Sequence, residues 1–129
     1  MIVLDTHAWL WWLADPARLS PAARAAIDEA DAIGVSAISA WEVAMLVQKG
    51  RISLDRDVAV WVRQALGHAR VRQHPLTADL AVAAGQLGAR GFAGDPADRF
   101  IYATAEASRA RLVTRDERIR DFDARATLW

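Results

Sequence analysis

The sequence predicts an α/β fold in which a mainly parallel sheet is covered by helices on both faces. Short, strongly apolar runs recur along the chain, at residues 2–4, 32–36 and 111–114. Longer segments with helical spacing of apolar residues separate these runs. Strands that alternate with helices pair in parallel, and a sheet buried on both faces has nearly continuous apolar strands. We therefore expect one α/β domain over residues 1–129.

Helix caps and chain breakers set the expected boundaries of these elements. Ser20 followed by Pro21 is a typical helix start, and Asp15 followed by Pro16 is a typical stop. By the same signals we expect helices over residues 6–14, 21–30, 39–50, 55–66, 77–87, 94–108 and from 114 onward, and a last strand over residues 126–128. Ligands of such folds bind beyond the carboxyl ends of the strands, so residues that follow strands are the first candidates for a site.

Composition limits the classes of function that this chain can have. Hydrophobic residues make up 53% of the sequence, which is typical of a globular protein rather than a disordered one. The apolar run at residues 8–14 is too short to span a membrane, and no basic segment precedes it as in a signal peptide. The absence of cysteine excludes disulfides, thiolate metal sites and cysteine nucleophiles. We therefore expect a cytoplasmic protein without a membrane partner.

The charges of the chain balance, which limits how it can attract nucleic acid. Its 16 basic and 16 acidic residues give a net charge of zero, so no overall field draws a polyanion to it. Lys49 is the only lysine, and the other basic residues are arginines. Arginine binds phosphate through two parallel hydrogen bonds, so any binding of nucleic acid would depend on local arginine patches.

Four carboxylates, those of Asp5, Glu42, Asp98 and Asp116, stand out from the surface acids, and Asp95 is a fifth candidate. Asp5 follows an apolar strand, and the helical neighbours of Glu42 and Asp98 three and four residues away include no cation. Carboxylates in apolar surroundings are costly unless they are paired or bound to metal. If the fold gathers them, a hard cation such as Mg²⁺ or Mn²⁺ is their natural partner. Such a cation can activate water and stabilise charge in phosphodiester cleavage.

Each of these acids also has a purely structural interpretation. Residues 39–42 fit a capping box in which Glu42 is the fourth residue. Asp95 and Asp98 lie at an expected helix start, where the helix dipole favours a carboxylate. Asp116 lies in the first turn of the last expected helix. Taken one at a time, the acids leave both interpretations open.

The motifs around the acids resemble, in order, those of PIN-domain proteins, most of all the VapC toxins of type II toxin–antitoxin pairs. They are Asp5-Thr6-His7 and the segments 36–42, 94–99 and 112–117. The resemblance covers nearly the whole chain. It implies a PIN-like α/β/α sandwich, cleavage of RNA with Mg²⁺ or Mn²⁺, and a cognate antitoxin encoded by the adjacent gene. We expect the chain to form a homodimer, or a higher complex with this antitoxin. It further implies Asp5, Glu42 and Asp98 as the acidic core and Asp116 as the fourth acid, all four as catalytic and metal-binding residues.

The resemblance also suggests residues that contact the substrate. Thr114 matches the family's hydroxyl two positions before the last acid. Arg99 and Arg115 lie inside the acidic motifs and could bind RNA phosphates, although ion pairing with the acids beside them is an equal alternative. Of the two close acids Asp95 and Asp98, we assign Asp98 to the site because an apolar, alanine-rich helix follows it.

Tryptophans raise a separate expectation about surfaces. Trp9, Trp11 and Trp12 make the first helix apolar nearly all round, so it is either buried or partly covered by a partner. Trp41 and Met45 share one helix face and are expected in the core.

Three other classes of protein have to be weighed against a PIN nuclease. A dehalogenase-type phosphatase needs a second acid two positions after its nucleophile, where this chain has His7. A response-regulator receiver needs a lysine after its last core strands, and Lys49 lies elsewhere. A non-catalytic PIN-fold module for RNA binding or assembly is the main alternative. All four acids being present argues against that module, because clustered negative charge repels RNA.

Overall fold

The computed structural model describes residues 1–129 and contains one sheet of five parallel strands. In chain order the strands are β1 (Ile2–Leu4), β2 (Ile33–Ser36), β3 (Val71–His74), β4 (Arg111–Val113) and β5 (Thr127–Leu128). Their order across the sheet is β3-β2-β1-β4-β5. The central strand β1 places Leu4 opposite Val35 of β2 and Val113 of β4. The parallel α/β fold expected from the sequence is therefore confirmed.

Seven helices connect and cover the strands. They are α1 (Thr6–Ala14), α2 (Pro21–Glu29), α3 (Ala37–Gln48), α4 (Val58–Leu66), α5 (Ala78–Gln86), α6 (Pro96–Ala107) and α7 (Glu117–Phe122). Short 3₁₀ helices occupy Pro16–Arg18 and Leu87–Arg90. None of the helices combines the length and the apolar character that crossing a membrane demands.

Two hydrophobic cores lie on opposite faces of the sheet. Leu4 of β1 packs with apolar side chains of α1, α2, α3 and α4, whereas its neighbour Val3 packs with those of α6 and α7. Trp9 is fully buried in the first core, where its ring lies 5.3 Å from that of Trp61. Truncating a buried aromatic of this kind to alanine typically costs about 3 to 5 kcal/mol. Because both faces are covered, the central strands are apolar at successive positions.

The strands β1 and β2 continue directly into helices, which makes two expected helix caps wrong. Asp5, and not Thr6, caps α1, since its Oδ1 accepts a 2.7 Å hydrogen bond from the backbone N of Thr6. Ser36, and not Ser39, caps α3. The last residue before each helix keeps the extended backbone of the strand, and that is the conformation an N-cap needs. The hydroxyls of Thr6 and Ser39 are consequently free for other contacts.

Two further helix starts also differ from expectation. Helix α4 is capped by Asp57 instead of beginning at Asp55. Helix α7 is capped by Asp116 instead of beginning at Thr114. In both places a second cap-forming residue stands two positions downstream, and it is this residue that caps the helix.

The edge strand β3 was not expected from the sequence. It pairs only with β2, and its residues Arg72 and Gln73 are exposed. An edge strand with one covered side needs few apolar residues, so it lacks the run that marked the central strands.

Tryptophan exposure differs from expectation on two helices. On α1, Trp9 is buried and Trp11 and Trp12 are half-buried, so this helix is largely covered by its own domain. Trp41 of α3, expected in the core, is 55% exposed. The apolar surface that the sequence suggested for α1 therefore lies on α3 instead.

Candidate active site

One open cavity collects the acids that the sequence singled out. It has a volume of about 500 Å³ and lies beyond the carboxyl ends of β1, β2 and β4. Asp5 follows β1 directly, Glu42 lies on the helix after β2, Asp98 lies in the first turn of α6 and Asp116 caps α7. Asp95 also lines the cavity. The parallel topology thus brings together acids that are far apart in the sequence.

Asp5 is the most deeply placed acid, with 7% of its surface exposed. Its Oδ1 accepts from the backbone N of Thr6 and its Oδ2 accepts from the hydroxyl of Thr114, both at 2.7 Å. Burial raises the pKa of this carboxyl, and the hydrogen bonds from Thr114 and Thr6 oppose that rise. The two donors fix the carboxylate in one orientation at the floor of the cavity.

Glu42 accepts a hydrogen bond from Thr6, the residue that follows Asp5. Its Oε1 lies 2.5 Å from Thr6 Oγ1, and that hydroxyl lies 2.9 Å from Ser39 Oγ. Because Thr6 has only one hydroxyl proton, the carboxylate is its stronger acceptor. Since α3 begins at Ala37, Glu42 lies beyond the first turn, so the capping-box interpretation of Glu42 is wrong. Burial raises the pKa of Glu42, and so does the charge of Asp5.

Among the acids of the site, Asp98 has a pKa that is clearly raised by burial and by its neighbours. Its side chain is 14% exposed. Burial, followed by the charges of Asp5, Asp116 and Glu42, raises the pKa of Asp98 to about 7. Carboxylates that cannot all ionise together attract a cation.

Arg118 already supplies one positive charge to these acids. Its Nη2 lies 3.6 Å from Asp98 Oδ2 and 3.5 Å from Asp116 Oδ2, while its side chain is 61% exposed. Asp116 Oδ1 also accepts a 2.8 Å hydrogen bond from the backbone N of Arg118. The sequence reasoning missed Arg118, whose only signal was its place two residues after the last acid in the first turn of α7.

The donor set fits a hard divalent cation by its chemistry. Mg²⁺ and Mn²⁺ prefer oxygen ligands, and this site offers several carboxylates and no sulfur. The carboxylates also repel one another, and a bound cation would relieve that repulsion. As the side chains stand, no three acidic or histidine groups are arranged to share one ion. Asp98 and Asp116 lie near Arg118, and both oxygens of Asp5 accept hydrogen bonds from the chain. A cation shared by Asp98 and Asp116 would compete with Arg118 for their oxygens.

The three residues predicted to contact substrate lie in different surroundings. Arg115 lines the cavity, with its guanidinium 5.8 Å from the ring centre of Trp11. Arg99 does not line it, and its Nε donates to the carbonyl of Gly94 at 2.8 Å. Thr114 is fully buried, so its hydroxyl orients Asp5 instead of facing solvent. Neither arginine forms the ion pair that the alternative interpretation required.

Two further residues complete the rim of the cavity. Arg51, in the loop after α3, and the exposed His7 both line it. Nothing in the sequence around Arg51 indicated a role, because its position depends on how the chain leaves α3. With Arg115 and Arg118, Arg51 surrounds an acidic centre with positive charge.

The fold and this acidic cavity define a PIN domain. The sequence profile described as "PIN domain" matches residues 2–125, and the chain belongs to this family. Within the family it is 46% identical over 119 residues to Ribonuclease VapC22 of Mycobacterium tuberculosis (strain ATCC 25618 / H37Rv), a match that covers 92% of this chain and 89% of that protein. The chain is therefore a member of the VapC branch, as its motifs indicated.

Solved structures share the fold at lower sequence identity. A toxin–antitoxin complex from Klebsiella pneumoniae matches with a TM-score of 0.69 and 21% identity, covering 100% of this chain and 97% of the other. VapBC2 from Rickettsia felis, bound to a promoter DNA fragment, matches with a TM-score of 0.68 and 17% identity, covering 99% and 98%. FitAcB from Neisseria gonorrhoeae matches with a TM-score of 0.63 and 23% identity, covering 100% and 97%. The expected PIN-like sandwich is thereby confirmed.

Proposed function

We propose that this chain is a cytoplasmic endoribonuclease, the toxin of a type II toxin–antitoxin pair, and that residues 1–129 form one catalytic domain. The observation that carries this proposal is the gathering of Asp5, Glu42, Asp98 and Asp116 around one cavity in a chain that belongs to the VapC branch. A domain that only bound RNA would gain nothing from this charge.

The reaction is hydrolysis of an RNA phosphodiester bond, with water as the nucleophile. Asp5, Glu42, Asp98 and Asp116 are the residues that would hold Mg²⁺ or Mn²⁺. When bound, such a cation supplies water activation and neutralises charge that develops on the phosphate oxygens. The four acids together create a site that a polyanion can approach only when their charge is neutralised.

The other residues of the cavity orient these acids and the substrate. The Thr114 hydroxyl and the Thr6 backbone fix Asp5, and the Thr6 hydroxyl contacts Glu42. Arg51 and Arg115 line the same cavity and form no ion pair, so their guanidinium groups are available for RNA phosphates. Preorganised donors and charges of this kind lower the cost of positioning the substrate.

We extend the proposal to the partner. The similar solved structures include a toxin–antitoxin complex and VapBC2, and we expect an antitoxin encoded by the adjacent gene to bind this chain. The chain itself forms a homodimer, or a higher complex with that antitoxin. A partner cation can enter the acidic cavity, because Arg118 shows that a guanidinium is accommodated beside Asp98 and Asp116.

The test is cleavage of a single-stranded RNA pool by the purified protein, mapped by sequencing of 5′ ends. We expect cleavage with Mg²⁺ or Mn²⁺ and none with EDTA. Glu42→Gln keeps the shape and the acceptor for Thr6 but removes one charge, so cleavage should fall by about a hundredfold or more. Glu29→Gln, on the exposed end of α2, is the matched control and should cleave like wild type. Cleavage in EDTA would contradict the dependence on a metal ion. Binding of RNA without any cleavage would favour the non-catalytic module.

A further inference from the structure

A groove of about 320 Å³ adjoins the acidic cavity on the side of α3. Trp41 and Met45 contribute apolar surface to it, and Lys49 and Arg51 contribute positive charge. Glu42, Leu46, Arg51 and Asp95 line both the groove and the acidic cavity. A chain that occupied the groove would therefore pass directly to the carboxylates.

Trp41 is the unusual feature of this groove. Its side chain is 55% exposed, while the other five tryptophans of the protein are buried or half-buried. It immediately precedes Glu42 on α3, so its indole stands at the edge of the proposed reaction centre. Tryptophan is enriched among the residues that anchor binding partners, so this exposed indole in a groove is a candidate ligand contact.

Charge indicates which kind of ligand the groove takes. Two cations, Lys49 and Arg51, line it together with two carboxylates, Glu42 and Asp95, which also line the acidic cavity. Neither cation forms an ion pair within the chain, so both are free to meet an anion. An aromatic platform flanked by unpaired cations is the arrangement with which proteins hold single-stranded nucleic acid, because bases stack on the ring and phosphates pair with the cations. A purely apolar protein segment would leave both charges unpaired.

We infer that this groove binds one nucleotide of single-stranded RNA next to the scissile phosphate, with its base stacked on Trp41 and its phosphate near Lys49 and Arg51. This inference rests on the proposed ribonuclease function and adds to it a base-binding, specificity-determining residue. An unpaired base is required, because a base inside a duplex does not present its face to a side chain.

The experiment compares wild type with Trp41→Ala and Trp41→Phe on a short RNA that contains one mapped cleavage site. Val82→Ala is the control, since Val82 is 60% exposed on α5 and lines neither the groove nor the acidic cavity. Loss of one stacked base should raise the KM of Trp41→Ala by about 5- to 100-fold. Trp41→Phe should retain most of the affinity, and Val82→Ala all of it.

A second arm identifies the base itself. The same RNA is prepared with an abasic nucleotide at each position beside the cleaved bond. At one position the abasic change should raise the KM of wild type but leave that of Trp41→Ala unchanged, because the stacking is already lost. Equal effects of every abasic position on both proteins, or a wild-type KM for Trp41→Ala, would overturn the inference.

Binding measured without cleavage separates this inference from the proposed function. Fluorescence anisotropy of labelled RNA with Mn²⁺, measured in an Asp5→Asn background that does not cleave, should show weaker binding when Trp41→Ala is added. Wild type that binds in this Trp41-dependent way but never cleaves would contradict the ribonuclease function alone. A Trp41→Ala protein that loses the adjacent gene's product but binds RNA normally would overturn the inference, since the groove would then be a protein interface.

Discussion

Thr114 Oγ1 donates a 2.7 Å hydrogen bond to Asp5 Oδ2 and so joins the ends of β4 and β1, 109 residues apart in the sequence. Thr114 Oγ1 also accepts a 3.0 Å hydrogen bond from the backbone N of Asp116. One buried hydroxyl therefore sets the positions of the first and the last acid of the site. It also opposes the rise in the pKa of Asp5 that burial causes.

Replacing this hydroxyl by a methyl group should damage the site more than the fold. Thr114→Val leaves Asp5 Oδ2 without its donor, and loss of a group that orients a metal-binding carboxylate typically reduces metal affinity or activity by about 10- to 100-fold. The unsatisfied carboxylate should also lower the free energy of unfolding by about 1 to 3 kcal/mol. Calorimetry with Mn²⁺ and urea unfolding measure the two effects.

Thr114→Ser is the matched control for this prediction. Serine keeps the hydroxyl, so metal affinity should return close to the wild-type value even if packing suffers. Equal metal affinity in Thr114→Val and wild type would show that the hydroxyl does not position Asp5.

Arg118 should compete with the cation for the same two acids. Its guanidinium lies within 3.6 Å of Asp98 and 3.5 Å of Asp116. Because Arg118 is 61% exposed, its attraction is weakened by solvent, and Arg118→Gln should tighten Mn²⁺ binding by only a few fold. Arg63→Gln, on an exposed position of α4 without an ion pair, should leave binding unchanged. Weaker Mn²⁺ binding in Arg118→Gln, measured by calorimetry at pH 8, would contradict competition.

The raised pKa of Asp98 gives the metal-free protein a pH-dependent stability. The folded carboxyl has a pKa of about 7, whereas an unfolded aspartate has one near 3.9, so the folded state holds this proton more tightly between those values. Its contribution to stability is present below pH 4 and is lost as pH rises to about 7. The loss is at most about 4 kcal/mol, because one pKa unit corresponds to about 1.4 kcal/mol.

Urea unfolding in EDTA between pH 4 and pH 8 tests this dependence. Asp98→Asn should flatten the decline, because asparagine does not titrate. Saturating Mn²⁺ should reverse the decline near pH 7, since the ion binds the ionised folded site. A wild-type curve with the same slope as Asp98→Asn would show that Asp98 does not carry the effect.

The sequence was sufficient for those parts of the site that follow strands. Asp5 and Asp116 lie just beyond apolar runs, and parallel topology requires such residues to meet at one edge. Glu42 and Asp98 were found through apolar helix neighbours and through the motifs of the PIN family. Their catalytic and metal-binding roles stay predictions, although the structure places all of them around one cavity.

The remaining parts depend on contacts that local sequence does not encode. Arg118 became part of the site only because α7 turns its first residues toward α6, and Arg51 because of the path of the chain after α3. Trp41 has the spacing of a core residue, yet α3 turns it toward solvent. Strand β3 escaped notice because an edge strand needs no apolar run.

The antitoxin can be separated from catalysis by a change at Asp5. Asn keeps an oxygen for the backbone N of Thr6, and its amide can donate to the Thr114 hydroxyl, so the fold and the partner surface should persist. Expressed alone in a bacterium, wild type should arrest growth, Asp5→Asn should not, and both should co-purify with the adjacent gene's product. That product should also inhibit RNA cleavage by wild type in vitro. If it neither co-purifies with the chain nor inhibits cleavage, the toxin–antitoxin pairing is wrong while the nuclease itself stands, because metal-dependent cleavage needs only the acids of this chain.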